Sequence, residues 1–402
     1  MVARRGRKPR IGLALAGGGP VGGVYEIGAL CALQDALGGL DLNALDVYVG
    51  VSSGAFIAAT VANDFSPDEL RRIFIENDSP EHPVGPDLFV APAVAEFWGR
   101  ISSLPGLVLG AVWEFARDPL NGDLSESLSR LSRAIPTGVF ENERLAEFLA
   151  GMFQGHGRSN DFRQLRRPLF VVATDLDTGE SVEFGGRGFD HVPVSRAVQA
   201  SSALPGLYPP VRIGGRYYVD GALRKTLHAS VALREGADLV LCVNPLIPFD
   251  ASLAAARGQP KHEKLVEGGL PVVLSQTFRS LIYSRMQVGM SAYENQYKDA
   301  HVLLFQPGRD DAEMFFTNVF SYANRQRVFE HAYCRTLRDL EARRAELEPI
   351  LSRYGIGIRG EALECALPER PAAEGSALLE LTHTLDRLEG WMGARGRARA
   401  AR

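Results

Sequence analysis

Within its first 56 residues the chain spells out a strand, a glycine loop, a helix, a second strand and a serine turn, and few folds accommodate that order at that spacing. Ile11 to Ala16 is an unbroken apolar run that reads as a buried strand. It leads directly into Gly17-Gly18-Gly19-Pro20-Val21-Gly22-Gly23. Val24, Ile27, Leu30, Cys31, Leu33 and Leu37 then recur at helical spacing, and Gly38-Gly39 stops that helix. Val47, Tyr48 and Val49 suit a second buried strand. About 45 residues is the length of a βαβ unit. Its crossover implies a parallel sheet, with the turns after both strands on one edge.

The second strand ends in Gly50-Val51-Ser52-Ser53-Gly54, a G-x-S-x-G pattern followed by an apolar helix from Ala55. A serine at a sharp strand-to-helix turn presents its hydroxyl, and glycines at Gly50 and Gly54 remove the Cβ atoms that would crowd the turn. The N-terminus of the following helix favours developing negative charge. A structural tight turn is the competing interpretation.

The glycine loop admits three interpretations. A dinucleotide fingerprint needs an acidic residue at the end of the second strand, where this chain has Gly50-Val51-Ser52. A structural turn is the second. The third, an oxyanion hole made of backbone N–H groups, fits best because the loop falls on the same sheet edge as Ser52.

Residues 66–140 read as an insertion rich in proline and, between Leu88 and Phe115, in large apolar residues such as Trp98 and Trp113. It is either a helical subdomain packed on the sheet or a lid over an acyl pocket. Further strands are expected at Leu169–Thr174, Ser181–Phe184, Val211–Ile213, Arg216–Val219, Ala237–Val243 and His301–Phe305, with a hairpin at Gly214-Gly215. Ser195 to Ser202 reads as a short helix, 251–269 as a polar linker, and a long helix follows Pro271. Beyond residue 305 come helices: Ser321–Tyr354 is heavily charged and expected to expose one face, and Leu378, Leu381, Leu385, Leu388 and Met392 fall near heptad spacing, which suits a docking helix or a self-association seam. Residues 1–10 form a basic arm, either a solvated tail or a contact for anionic headgroups.

The composition, 46% hydrophobic and 23% charged over 402 residues, is globular, and a net charge of −4 argues against nucleic acid as a main partner. Four cysteines at 31, 242, 334 and 365 make no close pair, so neither a zinc site nor a disulfide is expected, and a reducing, cytoplasmic setting is the default. No stretch reaches the apolar length of a membrane span, so any membrane contact is expected to be peripheral.

A base for Ser52 is offered by Asp220, which ends a β-run in front of Gly221-Ala222. An aspartate merely capping its turn is the alternative. Taken together, G-G-G-P-V-G at 17–22, G-V-S-S-G at 50–54 and D-G-A at 220–222 resemble the patatin-like phospholipase family, and A-S-S-A-L-P-G-L-Y-P-P at 200–210 resembles its stretch ahead of the aspartate. The resemblance covers roughly residues 11–305. It departs at Val21, where the family usually carries Arg or Lys, and at Pro20, which has no N–H to offer.

The resemblance implies an α/β fold, a three-layer α/β/α domain with a mostly parallel central sheet over 11–305; the 66–140 insertion and the helical extension at 306–402 are not explained by it. It implies a Ser52–Asp220 dyad without histidine. Gly17, Gly18, Gly19 and Gly22 would form the oxyanion loop, and Gly50, Gly54 and Gly221 would support the motifs. The expected reaction is hydrolysis of fatty-acyl esters of lipids, phospholipase A or lysophospholipase in type, with no cofactor or metal. A lipid or acyl-ester substrate is the expected partner, and self-association stays open. A partly desolvated Asp220 with a raised pKa would make the better base. The alternatives are an acyltransferase on a related serine-elbow fold, a Ser-His-Asp hydrolase using Asp175 or Asp220 with His228 or His301, and a lipid-binding protein without turnover.

Overall fold

Unbroken apolar runs become strands covered on both faces, and alternating runs become strands covered on one. The computed structural model of the chain describes residues 7–85, 88, 91–92, 137–258, 265–317 and 324–363. Its main sheet has eight strands: β1 (Ile11–Leu15), β2 (Val47–Val51), β3 (Leu169–Asp175), β4 (Ser181–Phe184), β5 (Val211–Ile213), β6 (Arg216–Asp220), β7 (Leu239–Val243) and β8 (His301–Phe305). The order is β8-β7-β1-β2-β3-β6-β5, with β4 also on β3. β8, β7, β1, β2 and β3 run parallel, and β4, β5 and β6 add antiparallel pairs. β2, β3 and β7 are buried along their whole length, whereas β4 alternates.

Helices cover both faces. α1 (Gly19–Ala36), α2 (Ser53–Ala62), α3 (Glu143–Met152) and α4 (Val194–Ser201) share one core with Leu13, Leu15, Tyr48 and Val171. α5 (Ala229–Arg234) and α6 (Gly269–Gln296) share the other with Ala14, Val49, Val51 and Cys242. The alternation of Leu13 and Leu15 against Ala14 and Ala16 is the strand period separating those cores. The class is α/β, in three layers. An outer helix, α7 (Arg325–Ala342), lies on α1 so closely that a Cβ on Gly28 would come within 2.6 Å of the Phe329 carbonyl.

The register places the site. β2 takes residues 169–172 of β3, β4 takes 171–174 and β6 takes 173–175. A strand has two edges, so β4 lies on one, and β2 and β6 share the other end to end. Val51 faces Val172 and Asp220 faces Ala173. The residues that follow one strand and finish the other therefore meet.

Several expectations need correcting. α1 begins at Gly19, not Val24, because Pro20 suits the first turn of a helix and the glycines there can pack closely. The polar stretch from 251 holds a helix, Ala251–Ala256, capped by Asp250, whose carboxylate accepts from the Leu253 N–H at 3.1 Å. The charged segment after 321 is two helices, α7 and α8 (Arg344–Ser352). Val328, Phe329, Ala332 and Leu337 of α7 are buried. Cys334 is disulfide-bonded although no disulfide was expected, because a fold can join cysteines that sequence spacing keeps apart. Cys31 and Cys242 are buried free thiols. The aromatic stretch within 93–136, the basic residues 1–6 and the heptad segment 378–392 lie outside the described residues. Among the described residues no helix is long and apolar enough to cross a membrane.

Candidate active site

Ser52 sits between β2 and α2 with φ 54° and ψ −125°, a backbone conformation that costs roughly 1–3 kcal/mol for a residue with a side chain. The neighbouring packing enforces it. Gly54 lies against β1, where a Cβ would stand 2.5 Å from the Leu15 carbonyl carbon. Gly50 faces the Gly54–Ala55 backbone with no room for a side chain. The Ser52 carbonyl accepts from Ala55 N–H at 2.9 Å and Phe56 N–H at 3.2 Å, which starts α2.

The Ser52 N–H is held by a residue whose role the motifs do not announce. It donates to Ser201 Oγ at 2.8 Å, and Ser201 Oγ donates to the Val172 carbonyl at 2.5 Å. One hydroxyl therefore ties the strained turn to β3. Ser201 falls in the A-S-S-A-L-P-G stretch, but the sequence alone gives it no partner.

Asp220 ends β6 opposite Ala173, is 3% exposed, and receives the Ala222 N–H on Oδ1 at 2.8 Å. Its own N–H donates to the Ala203 carbonyl at 3.0 Å, and Thr174 Oγ1 donates to its carbonyl at 3.3 Å. Burial raises the carboxyl from its ordinary 3.8 to about 6, while the Ala222 N–H and the neighbouring Ser52 hydroxyl pull it back. Gly221 follows because the Val172 carbonyl occupies the space a Cβ would need.

The glycine loop closes the third side. A Cβ on Gly17 would stand 3.0 Å from Ser52 Cβ and 3.1 Å from Ala222 Cβ, so this backbone is wedged between the serine turn and the aspartate turn. Gly18 caps α1 and abuts Pro245, and Gly19 opens the helix with φ 63°. The N–H groups of a helix's first turn have no acceptor within the helix. Gly22 is a correction: its N–H donates to the Gly18 carbonyl at 3.1 Å and is already committed. What it contributes is close packing, with Pro245 and Ser53 Oγ within 3.4 Å of where its Cβ would be. Val21 is 8% exposed within the core that packs α1, so no charge stands at that position.

Neither histidine alternative hydrogen-bonds to Ser52 or Asp220 among the described residues. His301 starts β8, at the opposite end of a parallel sheet from the Ser52 turn and three strands away, with Nδ1 2.7 Å from the Tyr354 hydroxyl. His228 is buried with its Nε2 unpartnered, and burial first, then nearby Lys225, drives its pKa down to about 3. Asp175 accepts from Asp177 and Thr178 N–H at 3.0 and 3.1 Å in its own turn. Two features escaped the sequence: Glu26, buried on α1 with both carboxyl oxygens unpartnered, and the unpartnered Ser53 hydroxyl.

A family model described as patatin-like phospholipase matches residues 13–233. An uncharacterized NTE family protein of Mycobacterium tuberculosis is 33% identical over 141 residues, covering 35% of this chain and 21% of that protein. A lysophospholipase of Coccidioides immitis is 27% identical over 243 residues, covering 60% of this chain and 12% of its own length. The chain thus spans about a fifth or less of these relatives. The crystal structure of VipD from Legionella pneumophila aligns over 92% of this chain and 93% of that one, at 15% identity and a TM-score of 0.33. The family match runs from β1 into α5, takes in the glycine loop, the serine turn and the Asp220 turn together, and covers more than half of the sequence; the chain belongs to the patatin-like phospholipase family.

Proposed function

We propose that the chain is a serine acyl hydrolase that cleaves fatty-acyl esters of lipids. The observation that carries this is the meeting of Ser52, strained and fenced by glycines, with the buried Asp220 carboxyl on one edge of β3. Ser52 Oγ attacks the ester carbonyl as Asp220 takes its proton. The oxyanion forms beside Gly17, where the amides of Gly18 and Gly19 supply N–H donors. Asp220 returns the proton to the leaving alcohol, and water, deprotonated in turn by Asp220, releases the fatty acid from the acyl-Ser52 ester. A carboxyl near 6 is a better base than an ordinary one while still mostly ionised at neutral pH. The chemistry needs no metal or cofactor.

Phospholipids and lysophospholipids are the proposed substrates, in line with the name of the fungal relative. The lipid surface is met peripherally. The test is hydrolysis of p-nitrophenyl butyrate and of lysophosphatidylcholine by the wild-type chain and by Ser52→Ala. Turnover that vanishes in the variant while circular dichroism is unchanged supports the proposal. Equal turnover in both removes Ser52 from the mechanism.

A further inference from the structure

The apolar residues of α6 divide between two faces. Met286 and Tyr293 are buried against the sheet, and Ile282 and Arg279 are buried beside them, Arg279 donating to the Ile247 and Met314 carbonyls. Leu270, Leu274, Leu281 and Val288 are each 58–70% exposed. At 3.6 residues per turn these four fall within about 40° of one another, on the side away from the sheet, over about 27 Å of helix. Single exposed leucines are ordinary, but a straight stripe of four is not.

Charge along this helix is sparse and positive up to its last turn, where Glu294 is its one acidic residue. Residues 268–293 contain two arginines and no acidic residue. Arg279 is buried, which leaves Arg285 on the open side. Beside it lies a cleft of about 400 Å³ lined by Ser181, Arg224, Lys225, His228, Arg285 and Val288, among others. Arg224 is paired with Glu180 at 3.0 Å. Lys225 reaches only Ser230 Oγ, at 3.2 Å, and the Tyr293 ring. Arg285 donates to the Leu223 carbonyl at 3.0 Å. Neither Lys225 nor Arg285 has a carboxylate partner among the described residues. A neighbouring cleft shares Arg224 and Arg285 and is lined also by Leu223 and by Thr174, whose hydroxyl donates to the Asp220 carbonyl.

We propose that the outward face of α6 is the surface by which this protein lies on an anionic bilayer. Leu270, Leu274, Leu281 and Val288 enter the apolar edge of the leaflet, while Lys225 and Arg285 take lipid phosphates beside the Asp220 turn. An interfacial helix combines these two features, a row of apolar side chains and, beside it, cations that no carboxylate pairs among the described residues. A second copy fits less well, because a two-fold contact across this face would bring Arg285 and Lys225 against their own counterparts. The consequence for turnover rests on the proposed acyl hydrolase, but the binding itself does not, and the test separates them.

Full-length Ser52→Ala protein is sedimented with vesicles of phosphatidylcholine alone and of phosphatidylcholine with phosphatidylglycerol. Binding is expected to the anionic vesicles, weakened about tenfold or more by Leu274→Glu/Leu281→Glu/Val288→Glu and, separately, by Lys225→Gln/Arg285→Gln. A Leu281→Trp protein supplies an independent reading, a blue-shifted emission on adding anionic vesicles. In the Ser52-intact background the triple variant keeps its turnover of p-nitrophenyl butyrate while hydrolysis of vesicle lipid falls. The proposal is overturned if the parent protein binds no vesicle, if the triple variant binds as well as its parent, or if Leu281→Trp emission does not shift. It is equally overturned if the triple variant instead converts a lipid-free dimer to a monomer, which assigns the face to a second copy. Vesicle binding without any ester turnover in the intact protein would count against the hydrolase and leave this surface standing.

Discussion

The serine turn and the aspartate turn touch, yet they are built in opposite ways. Ser52 is held at φ 54° by glycines on either side and by the Ser201 hydroxyl. Asp220 has a relaxed backbone, φ −50° and ψ 130°, and takes its character from burial. On the serine side the strain sits in the backbone at Ser52. On the aspartate side desolvation raises the carboxyl. The difference teaches where each can be damaged: the first by disturbing geometry, the second by changing charge.

The largest expected effect breaks the serine side chemically. Ser52→Ala is expected to lower kcat by about a thousandfold or more while leaving the thermal midpoint near wild type, as read by ester hydrolysis and calorimetry. A small loss would mean that the strained turn does not serve the reaction.

Breaking the aspartate side is expected to show in two readouts. Asp220→Asn should reduce kcat by a comparable factor. In the wild type kcat should climb with pH through about 6 as the carboxyl ionises, and the variant should lack that step. Stability should move the other way. The folded pKa is raised, so the protonated carboxyl favours the folded state below the ordinary 3.8, and that contribution is lost as pH rises through about 6. At pH 7 the loss is on the order of 3 kcal/mol, and Asp220→Asn is expected to be the more stable protein there. Denaturant titrations of both proteins at pH 4 and pH 7 check the sign.

Legibility in the sequence follows the same division. Ser52, Asp220 and the glycines could be read because each requirement is local: a turn with no room for Cβ, or a carboxylate at a strand end. The unbroken strands β1, β2, β3 and β7 were visible because burial on both faces demands continuous apolar runs. What could not be read depends on contacts between distant segments. Ser201 acts through Ser52 and Val172, and nothing in its neighbours indicates that. The stripe on α6 has the spacing of a packed face and became an exposed one because the sheet took the other side. Gly22 looked like an oxyanion donor until α1 began early enough to use its N–H.

A finer probe sharpens the geometric side. Ser201→Ala leaves the buried Ser52 N–H and the Val172 carbonyl without their partner, at a cost of about 1–3 kcal/mol. Its expected signature is a kcat reduced about tenfold with KM unchanged, and Ser201→Thr should recover part of it. A change confined to thermal stability would make Ser201 a packing residue and no more.

The smallest effect on turnover is expected at Glu26. Burial holds its carboxyl protonated well above the usual range, and neither oxygen finds a partner. Its folded pKa is raised, so wild-type stability should decline as pH rises above the ordinary 4.5. Glu26→Gln should flatten that decline in pH-dependent melts and leave turnover untouched.

The shared edge of β3 also bears on how this chain tolerates change. Ser52 and Asp220 are spliced together by a strand that neither belongs to, so the length of the chain between Ala62 and Leu169 does not enter the distance between them. Outside its core segments, such as α3 with Leu145, Leu149 and Met152, lengthening that connection is a question of loop closure, about 0.6 kcal/mol for each doubling, and not of active-site geometry. The fold thus gives variation a place to accumulate, between the strand that ends at Ser52 and the strand that holds Asp220 beside it, where a new appendage can be tried without separating the two.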